Sequence, residues 1–484
     1  MNKVAFILFC FVCIAFSANG QNVTTLSLFD VIELSKEQSP SAKQAETRVK
    51  NRYWQYRLYK SNYNPQLALS GNLPGYNRDY FGNVLDDGTM IFQEREQINS
   101  LLNLGMEQPI AFTGGTVSIN SNLNYFADLN RDEDRFNSTL VNIRLNQPLF
   151  GYNSLKWDKR TEPLRYEESK RSFVEEMEFI SREAVRYFFD YLDAQINLQI
   201  AETNLFNTDT IYRIEEGRYN IGTTSKDKLL QVELQLLRSE QDVTQAHLDM
   251  QTSSQKLRAY LGLKTSDTLH LILPDHIPEF DILMQDALMY AKLNRSDYIA
   301  FERSRIESQR DVERARKQRF QTTLVASYGL NTASDDFSDA YSNPNDQQRV
   351  DIGLVVPILD WGRNKARIET ALANQQLNEF VLDQDIQNFE QEIITLVRQF
   401  EVLRNQMRIA KKSDEVAEER YTVSQNRYLT GKVDITNLNI ALSEKDAAKR
   451  SYNKALRDFW IAYFDLRRLT LYDFANKELL YTPE

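Results

Sequence analysis

The chain has 484 residues, and its 68 acidic residues outnumber its 58 lysines and arginines, so the formal net charge at neutral pH is −10. Charges of both signs are interspersed and form no basic stripe, which argues against a nucleic-acid-binding protein. The two cysteines, Cys10 and Cys13, lie close to the start of the sequence. The remainder therefore offers no disulfide, thiol nucleophile or thiolate metal site.

Residues 1–20 have the pattern of a cleaved export signal. Lys3 precedes an apolar run from Val4 to Phe16, and Ala18 and Gly20 supply small residues for a cleavage site. The apolar run is shorter than the roughly 18 residues of a membrane anchor. We therefore expect an exported protein whose mature chain begins at Gln21.

Residues 21–64 are predicted to form two helices. Leu28, Val31 and Ile32 fall on one face of the first helix. Ser39-Pro40 interrupts this pattern, and a second helix is predicted from Ala42 to Tyr59.

The pattern changes from helical to alternating over residues 65–150. Apolar residues such as Val117 and Ile119 interleave with asparagine and serine, so each strand has one apolar and one polar face. About four strands are predicted, the first from Pro65 to Leu73, with a short turn at 112–115 and polar links at about 76–97 and 128–137.

Residues 151–263 are predicted to form a long helical hairpin with its tip near 218–227. The first helix, from about Leu155 to Glu216, would be about 90 Å long at a rise of about 1.5 Å per residue. After the tip, apolar residues recur every seventh position at Leu229, Leu236, Val243, Met250 and Leu257. This heptad spacing predicts a coiled-coil seam, although ordinary helical bundles use it as well.

The second half of the chain repeats the first. Arg218 to Gly222 recurs as Arg427 to Gly431, and the interval between these motifs equals that between Pro148 and Pro357, which indicates an internal duplication. Residues 264–280 are the predicted linker. The second half is predicted to contain helices over 281–320, a β-hairpin over 321–360, a helical hairpin over 361–470 with its tip near 427–437, and a C-terminal tail over 471–484.

The alternating strands have two interpretations. An antiparallel sheet of a soluble protein also has one wet face. A transmembrane barrel needs strands of about 9–11 residues, short turns at one end, longer loops at the other and aromatic residues near the interfaces. The export signal, the short turn at 112–115, the polar link at 332–347 and flanking residues such as Tyr63 and Phe150 favour the barrel.

No group of residues predicts an enzyme, a cofactor or a metal ion. His247 lies in a polar helical repeat, and His270 and His276 lie in the linker without the carboxylate spacing of a metal motif. Gly114-Gly115 lacks the remainder of a phosphate-binding loop and predicts a hairpin turn instead. We therefore expect no catalytic residue, no cofactor and no metal site.

Over nearly the whole chain after the export signal, the sequence resembles the TolC family of outer-membrane efflux proteins. The resemblance rests on ordered motifs: Ser39-Pro40, Asn64 to Ser70, Asn146 to Phe150, Arg218 to Gly222, Leu261 to Leu263, Gly353 to Arg363 and Arg427 to Gly431. It implies an internally duplicated α+β membrane protein. Long coiled-coil hairpins would form a periplasmic α-barrel, and the strands would contribute to a trimeric transmembrane β-barrel.

The resemblance also implies a function and partners. The protein would be the outer-membrane channel of a tripartite efflux or type I secretion system in a Gram-negative bacterium, conducting substrate passively to the exterior. The implied partners are two further copies of the chain, a periplasmic adaptor (membrane fusion) protein, an inner-membrane pump of the RND, ABC or MFS type, and outer-membrane lipid. An exported coiled-coil scaffold or adhesin without channel activity is the alternative.

The resemblance places the two hairpin tips at the periplasmic end of the tunnel, where the adaptor would dock. The candidate docking residues are Arg218, Tyr219 and Gly222 in the first tip and Arg427, Tyr428 and Gly431 in the second. Alternatively, the tyrosines pack beneath the turns and the arginines interact with the helix C-termini.

The sequence departs from the family pattern in two places. Family members often have Asp six residues after the tip glycine, where it contributes to a closed entrance, whereas this chain has Lys228 and Asn437. Asp227 and Asp434 lie nearby, and these four residues form the candidate entrance. The first half also has room for an additional hairpin. Three copies with four strands each would form a wall of 12 strands, and three copies with six strands would form one of 18.

Overall fold

The computed structural model describes residues 23–263, 268–274, 277–319 and 321–482. The predicted signal peptide and His276 lie outside the described residues. The chain divides into two compact units. We call residues up to 49, 170–296 and from 387 onward the hairpin unit, and residues 50–169 and 297–386 the sheet unit.

The helices of the second half repeat those of the first in order and in length. They are α1 (Leu28–Gln38), α2 (Pro40–Ser61), α3 (Ser154–Asn220), α4 (Lys226–Leu261), α5 (Met284–Asn294), α6 (Ser296–Lys317), α7 (Arg363–Leu429) and α8 (Ile435–Thr470). The long helices α3 and α7 both have 67 residues, and α4 and α8 both have 36. These equal lengths confirm the predicted duplication.

Local sequence explains where the first two helices meet. Ser39 has an extended backbone conformation and ends α1, and its hydroxyl accepts a hydrogen bond from the Ala42 amide at 3.0 Å. Pro40 occupies the first position of α2, where a missing amide proton costs nothing. Ser39 therefore acts as the N-cap of α2.

None of the helices in the described ranges combines the length and the apolar character required to cross a membrane.

The sheet unit contains one antiparallel sheet. Its strands are β2 (Gln66–Asn72), β3 (Tyr76–Val84), β4 (Met90–Ile110), β5 (Gly115–Asp128), β6 (Glu133–Leu149), β8 (Gln321–Ser334) and β9 (Asn345–Val355). The strands β1 (Val23–Leu26) and β7 (Thr268–Leu271) belong to the hairpin unit. Neighbours in the sheet follow the order β2, β4, β5, β6, β8, β9, and β3 also pairs with β4.

The predicted polar link at 76–97 is wrong, because these residues form β3 and the beginning of β4. Their strands lack the apolar alternation that marks the other strands, and opposite charges pair across them instead. Arg78 forms an ion pair with Glu94, and Arg95 forms one with Asp79. Cross-strand charge pairs stabilise a hairpin as apolar pairs do. A tight turn between Leu85 and Thr89 joins the two strands.

A second sheet was not predicted. In the hairpin unit, β1 pairs in parallel with β7, which lies within the predicted linker. Gln195 on α3 holds this linker strand through two hydrogen bonds of 3.1 Å to the backbone of Leu271. Strands of four residues are too short to show a periodic pattern, so only the packing reveals them.

The core of the hairpin unit is aromatic. Phe188 and Phe189 on α3, Phe400 on α7, and Phe459 and Trp460 on α8 are all buried. The rings of Phe400 and Phe459 are 5.1 Å apart. Burial of each such side chain contributes about 1.5–3 kcal/mol to stability, so this cluster holds the two helical hairpins together.

Buried charges attach the C-terminal segment to the same unit. Arg467 on α8 forms ion pairs with Glu178 on α3 and with Asp473, which is completely buried. Lys36 adds a second cation 3.0 Å from Glu178. The carboxylates of Glu178 and Asp473 are therefore each paired with a cation, and such pairing is what allows a charge to be buried. The predicted tail thus contains ordered structure, including the short pair β10 (Tyr472–Asp473) and β11 (Glu478–Leu479).

Candidate docking site at the hairpin tips

Both hairpin tips have the same backbone turn. In the first tip, the amide of Gly222 donates to the carbonyl of Tyr219 and the amide of Thr223 donates to that of Arg218, each at 2.9 Å. In the second tip, the amide of Gly431 donates to the carbonyl of Tyr428 and the amide of Lys432 donates to that of Arg427, each again at 2.9 Å. This double hydrogen bond is the Schellman motif, which satisfies carbonyls at a helix C-terminus.

Glycine is required at both tips by conformation and not by space. Gly222 and Gly431 have φ angles of +75° and +71°, which side chains with a Cβ rarely adopt. Apart from the adjoining residues of the turn, no described atom lies within 4 Å of the position that a Cβ would occupy at either glycine. The outer side of each turn is therefore open to an approaching molecule.

The candidate entrance residues lie where the second helix of each hairpin begins. The Ser225 hydroxyl caps α4 by accepting from the Lys228 amide at 3.4 Å, and the Asp434 carboxylate caps α8 by accepting from the Asn437 amide at 2.9 Å. Asp227, Lys228, Asp434 and Asn437 are all exposed. Asp434 therefore serves the local fold as an N-cap as well as lying at the surface.

The equivalent tyrosines of the two tips have different environments. Tyr428 is only 3% exposed, whereas Tyr219 is 39% exposed. The Tyr428 hydroxyl donates to Oε1 of Glu215 at 2.8 Å. Tyr428 thus packs beneath its turn, as the alternative interpretation requires, and Tyr219 remains at the surface.

Glu215 joins the two hairpins. Arg218 donates to the same Oε1 atom at 2.6 Å, and its guanidinium lies 5.6 Å from the centre of the Tyr428 ring. Burial by itself would raise the pKa of Glu215, but hydrogen bonds from Tyr428, Arg218 and Thr224 lower it below its ordinary value. The pKa of Tyr428 is raised, mainly by burial, and the hydrogen bond to Glu215 raises it further.

An apolar contact lies next to this polar network. Tyr428 packs in a cluster with residues of both hairpins: Val232, Tyr421, Ile435, Leu438 and Ala441. A cleft of about 340 Å³ opens beside the cluster, and Lys228, Lys432 and Asp434 are among the residues that line it. The two tips of one chain therefore form a single surface, and its exposed candidate docking residues are Tyr219, Gly222, Arg427 and Gly431.

The sequence analysis did not identify Glu215. A signal was present. The duplication aligns Glu215 with Ser424, so the first copy has an acidic residue where the second copy has a neutral one. Such a difference three residues before the tip arginine indicates a role that only the first copy fulfils.

The histidines outside the tips do not form a cluster with other ligands in the described part of the chain. His247 lies 3.8 Å from Glu202 at an exposed position of α4, and His270 lies in β7. The described residues contain no group of three or more His, Cys, Asp or Glu side chains arranged to hold a metal ion.

Comparisons with known proteins identify relatives in both sequence and structure. The sequence profile of the family described as "Outer membrane efflux protein" matches residues 31–263 and 289–470. Cation efflux system protein CusC of Escherichia coli O6:H1 is 25% identical over 281 residues, which cover 56% of this chain and 58% of the relative. The chain thus spans somewhat more than half the length of the curated relatives that it matches.

Solved structures resemble nearly the whole chain. A crystal structure of CusC has a TM-score of 0.64 at 17% identity and covers 94% of this chain and 95% of its own. The Campylobacter jejuni CmeC outer membrane channel has a TM-score of 0.66 at 14% identity and covers 94% and 87%. These likenesses confirm the predicted fold, and because the family profile matches both halves, the chain belongs to the outer membrane efflux protein family, as its resemblance to TolC predicted.

Proposed function

We propose that this chain forms the outer-membrane exit duct of a tripartite efflux or type I secretion system. Substrate would pass through a water-filled lumen without any catalytic step, and an inner-membrane pump of the RND, ABC or MFS type would supply the energy. The observation that carries the proposal is that the sheet, apart from the charge-paired hairpin of residues 76–97, has one apolar face and one polar face.

The apolar face is continuous across the strands. The register places Leu67 opposite Met106, Met106 opposite Ile119, Ile119 opposite Ile143, and Ile143 opposite Tyr328. Leu324 and Ile352 form a similar pair between β8 and β9. Many of these side chains are exposed. An apolar surface of this extent is suited to contact with lipid.

The polar face is equally continuous. The row of residues one position away from the first apolar row consists of Gln66, Glu107, Ser118, Arg144, Ser327 and Arg349. Since successive side chains of a strand point to opposite sides, this row lies on the other face of the sheet. Charged and amide side chains in such a row suit the wall of an aqueous channel.

The proposed assembly is a homotrimer. One sheet of this size cannot enclose a lumen alone, because barrels of about eight strands are already filled by their own side chains. Exposed apolar residues on the long helices, such as Leu377, Phe380 and Val402 on α7, also require neighbours. Sister chains would cover both kinds of surface.

The proposed adaptor site is the surface formed by the two tips. A periplasmic adaptor would approach the open sides of Gly222 and Gly431 and contact the exposed Tyr219 and Arg427. Arg218 and the buried Tyr428 would position the turns. We assign the exposed Asp227, Lys228, Asp434 and Asn437 to the entrance, which would carry mixed charge in place of an acidic ring.

Ion conduction separates the duct from a scaffold or adhesin. We expect the purified protein to form pores in a planar bilayer, and Arg144→Glu, on the polar face, to shift their selectivity toward cations. The matched variant Ile143→Val, on the adjacent apolar position, should leave selectivity unchanged. A folded trimer that forms no pores would support the scaffold or adhesin, which has no conduction pathway.

A further inference from the structure

We propose that three copies close a single wall of 18 strands, in which β9 of one copy pairs with β2 of the next. The proposal rests on the trimer of the proposed function and specifies how its sheets join. Its evidence is the number of strand positions in the sheet, the direction of the two edge strands and the phase of their side chains.

Each chain supplies six strand positions. Although the sheet has seven strand segments, β2 and β3 pair in succession with the same partner: β2 with residues 101–107 of β4, and β3 with residues 90–98. Leu73 to Gly75 interrupt the edge between the two segments. Three copies with six positions each give 18.

Both edges of the sheet are open in the single chain. Within the described residues, β2 and β3 pair only with β4, and β9 pairs only with β8. Inside a lipid bilayer, unpaired backbone amides and carbonyls cost several kcal/mol each. A membrane-spanning sheet of this kind must therefore pair its edges, and an identical chain presents the complementary edge.

The two edges run in opposite directions. Every neighbouring pair in the order β2, β4, β5, β6, β8, β9 is antiparallel. An even number of positions therefore leaves the first and last strands antiparallel to each other. The joint between copies would thus repeat the pairing found throughout the chain.

The side chains of the two edges are also in phase. On β2, Leu67 and Leu69 lie on the apolar face and are 70% and 67% exposed. On β9, Val350, Ile352 and Leu354 lie on the same face and are similarly exposed. Pairing residues of the same face would continue the apolar band, whereas a shift by one residue would put charge into lipid.

A wall of 12 strands is the competing arrangement. It would leave out β2, β3 and β4, and β9 would then pair with β5, which runs in the same direction as β2. In the structure, however, β5 is paired with β4 along its whole length, from Gly115 opposite Ile110 to Asp128 opposite Gln97. The smaller wall would require all of these pairs to separate.

Cysteine crosslinking distinguishes the two walls, because β9 would neighbour β2 in one and β5 in the other. The only native cysteines, Cys10 and Cys13, lie in the predicted signal peptide and should not interfere. We would combine Leu69→Cys with Val350→Cys, Ile352→Cys or Leu354→Cys in turn, and test Ile119→Cys with the same three. Directly opposite Cβ atoms lie about 4.5–5.5 Å apart, so a short oxidative crosslink selects true neighbours. The control pair is Leu69→Cys with Asp351→Cys, on opposite faces.

For the 18-strand wall, we expect one of the Leu69→Cys pairs to give several-fold more covalent trimer than the control. The 18-strand wall would be overturned if Ile119→Cys gave the crosslink, or if Leu69→Cys gave none in an intact trimer. Neither result would contradict the proposed function as an exit duct. A chain that is monomeric before oxidation would overturn the proposed trimer as well. Counting strands in an electron cryomicroscopy map of the unaltered trimer gives the answer without any substitution.

Discussion

The Tyr428 hydroxyl in the second hairpin tip lies 2.8 Å from Glu215 Oε1 near the end of α3 and donates a hydrogen bond to it. The two residues are far apart in the sequence and belong to different copies of the duplicated unit. Tyr219, the counterpart of Tyr428, is exposed. A duplication that repeats the backbone turns therefore does not repeat the contacts, and the tips are bound to each other from one side only.

Loss of this hydrogen bond should loosen the contact between the tips. Tyr428→Phe keeps the ring in its apolar cluster but removes the donor to the buried carboxylate of Glu215, which costs about 1–2 kcal/mol. We expect faster amide hydrogen exchange in residues 424–440, with trimer assembly unchanged. Tyr219→Phe is the matched control and should have no effect, and equal exchange in both variants would exclude the role given to Tyr428.

The contact between the tips should depend on pH through Glu215. Its pKa is lowered in the folded protein, so the ionised carboxylate stabilises the fold above the ordinary value of 4.5, and this contribution is lost as pH falls through the lower folded pKa. Protection of the tip amides, taken relative to the intrinsic exchange rate at each pH, should therefore fall in acid. Glu215→Gln should lose this acid response, and an unchanged response would assign it to another group.

The tip glycines should be more important for docking than for assembly. Gly222→Arg and Gly431→Arg place a large side chain on the open side of each turn and strain a positive φ angle at a cost of about 1–2 kcal/mol. We expect reduced crosslinking to the adaptor with normal trimer yield.

Gly217 provides the matched control for these tip variants. It lies within α3 at an open position without a positive φ, so Gly217→Ala should stabilise the helix by about 1 kcal/mol and leave docking intact. Full adaptor crosslinking by the Gly222 and Gly431 variants would remove these turns from the docking site.

Asp193 on α3 should destabilise the protein at neutral pH. Burial raises its pKa from 3.8 to about 6, despite the nearby Arg457. The ionised form is therefore disfavoured in the folded state, and stability falls as pH rises from about 4 through 6.

Asp193→Asn removes this penalty, so we expect a more stable protein at pH 7.5, by about 1–2 kcal/mol after allowance for solvent screening. The gain should disappear near pH 4, as measured by thermal unfolding. Asp190→Asn, which removes ion pairs with Arg186 and Arg457, should not stabilise the protein. A gain that is independent of pH would contradict the assignment.

The proposed docking surface was only partly predictable. The repeated motifs located both turns, because a Schellman motif depends on a local glycine with positive φ. Whether Tyr219 or Tyr428 faces solvent depends on which hairpin lies against it. Glu215 was missed for the same reason, since its partner Tyr428 lies in the other half of the chain.

The sequence by itself determined the helical hairpins, the two-faced strands, the duplication and the family. The hairpins and strands follow from residues close together in the chain, and the duplication and the family follow from short motifs that recur in a fixed order. Only the tertiary structure decided that residues 76–97 pair as strands, that the linker adds β7 to β1, and that one tip tyrosine is buried and the other exposed. These features depend on charge pairs and packing between segments distant in sequence, which a periodic pattern of apolar residues does not record.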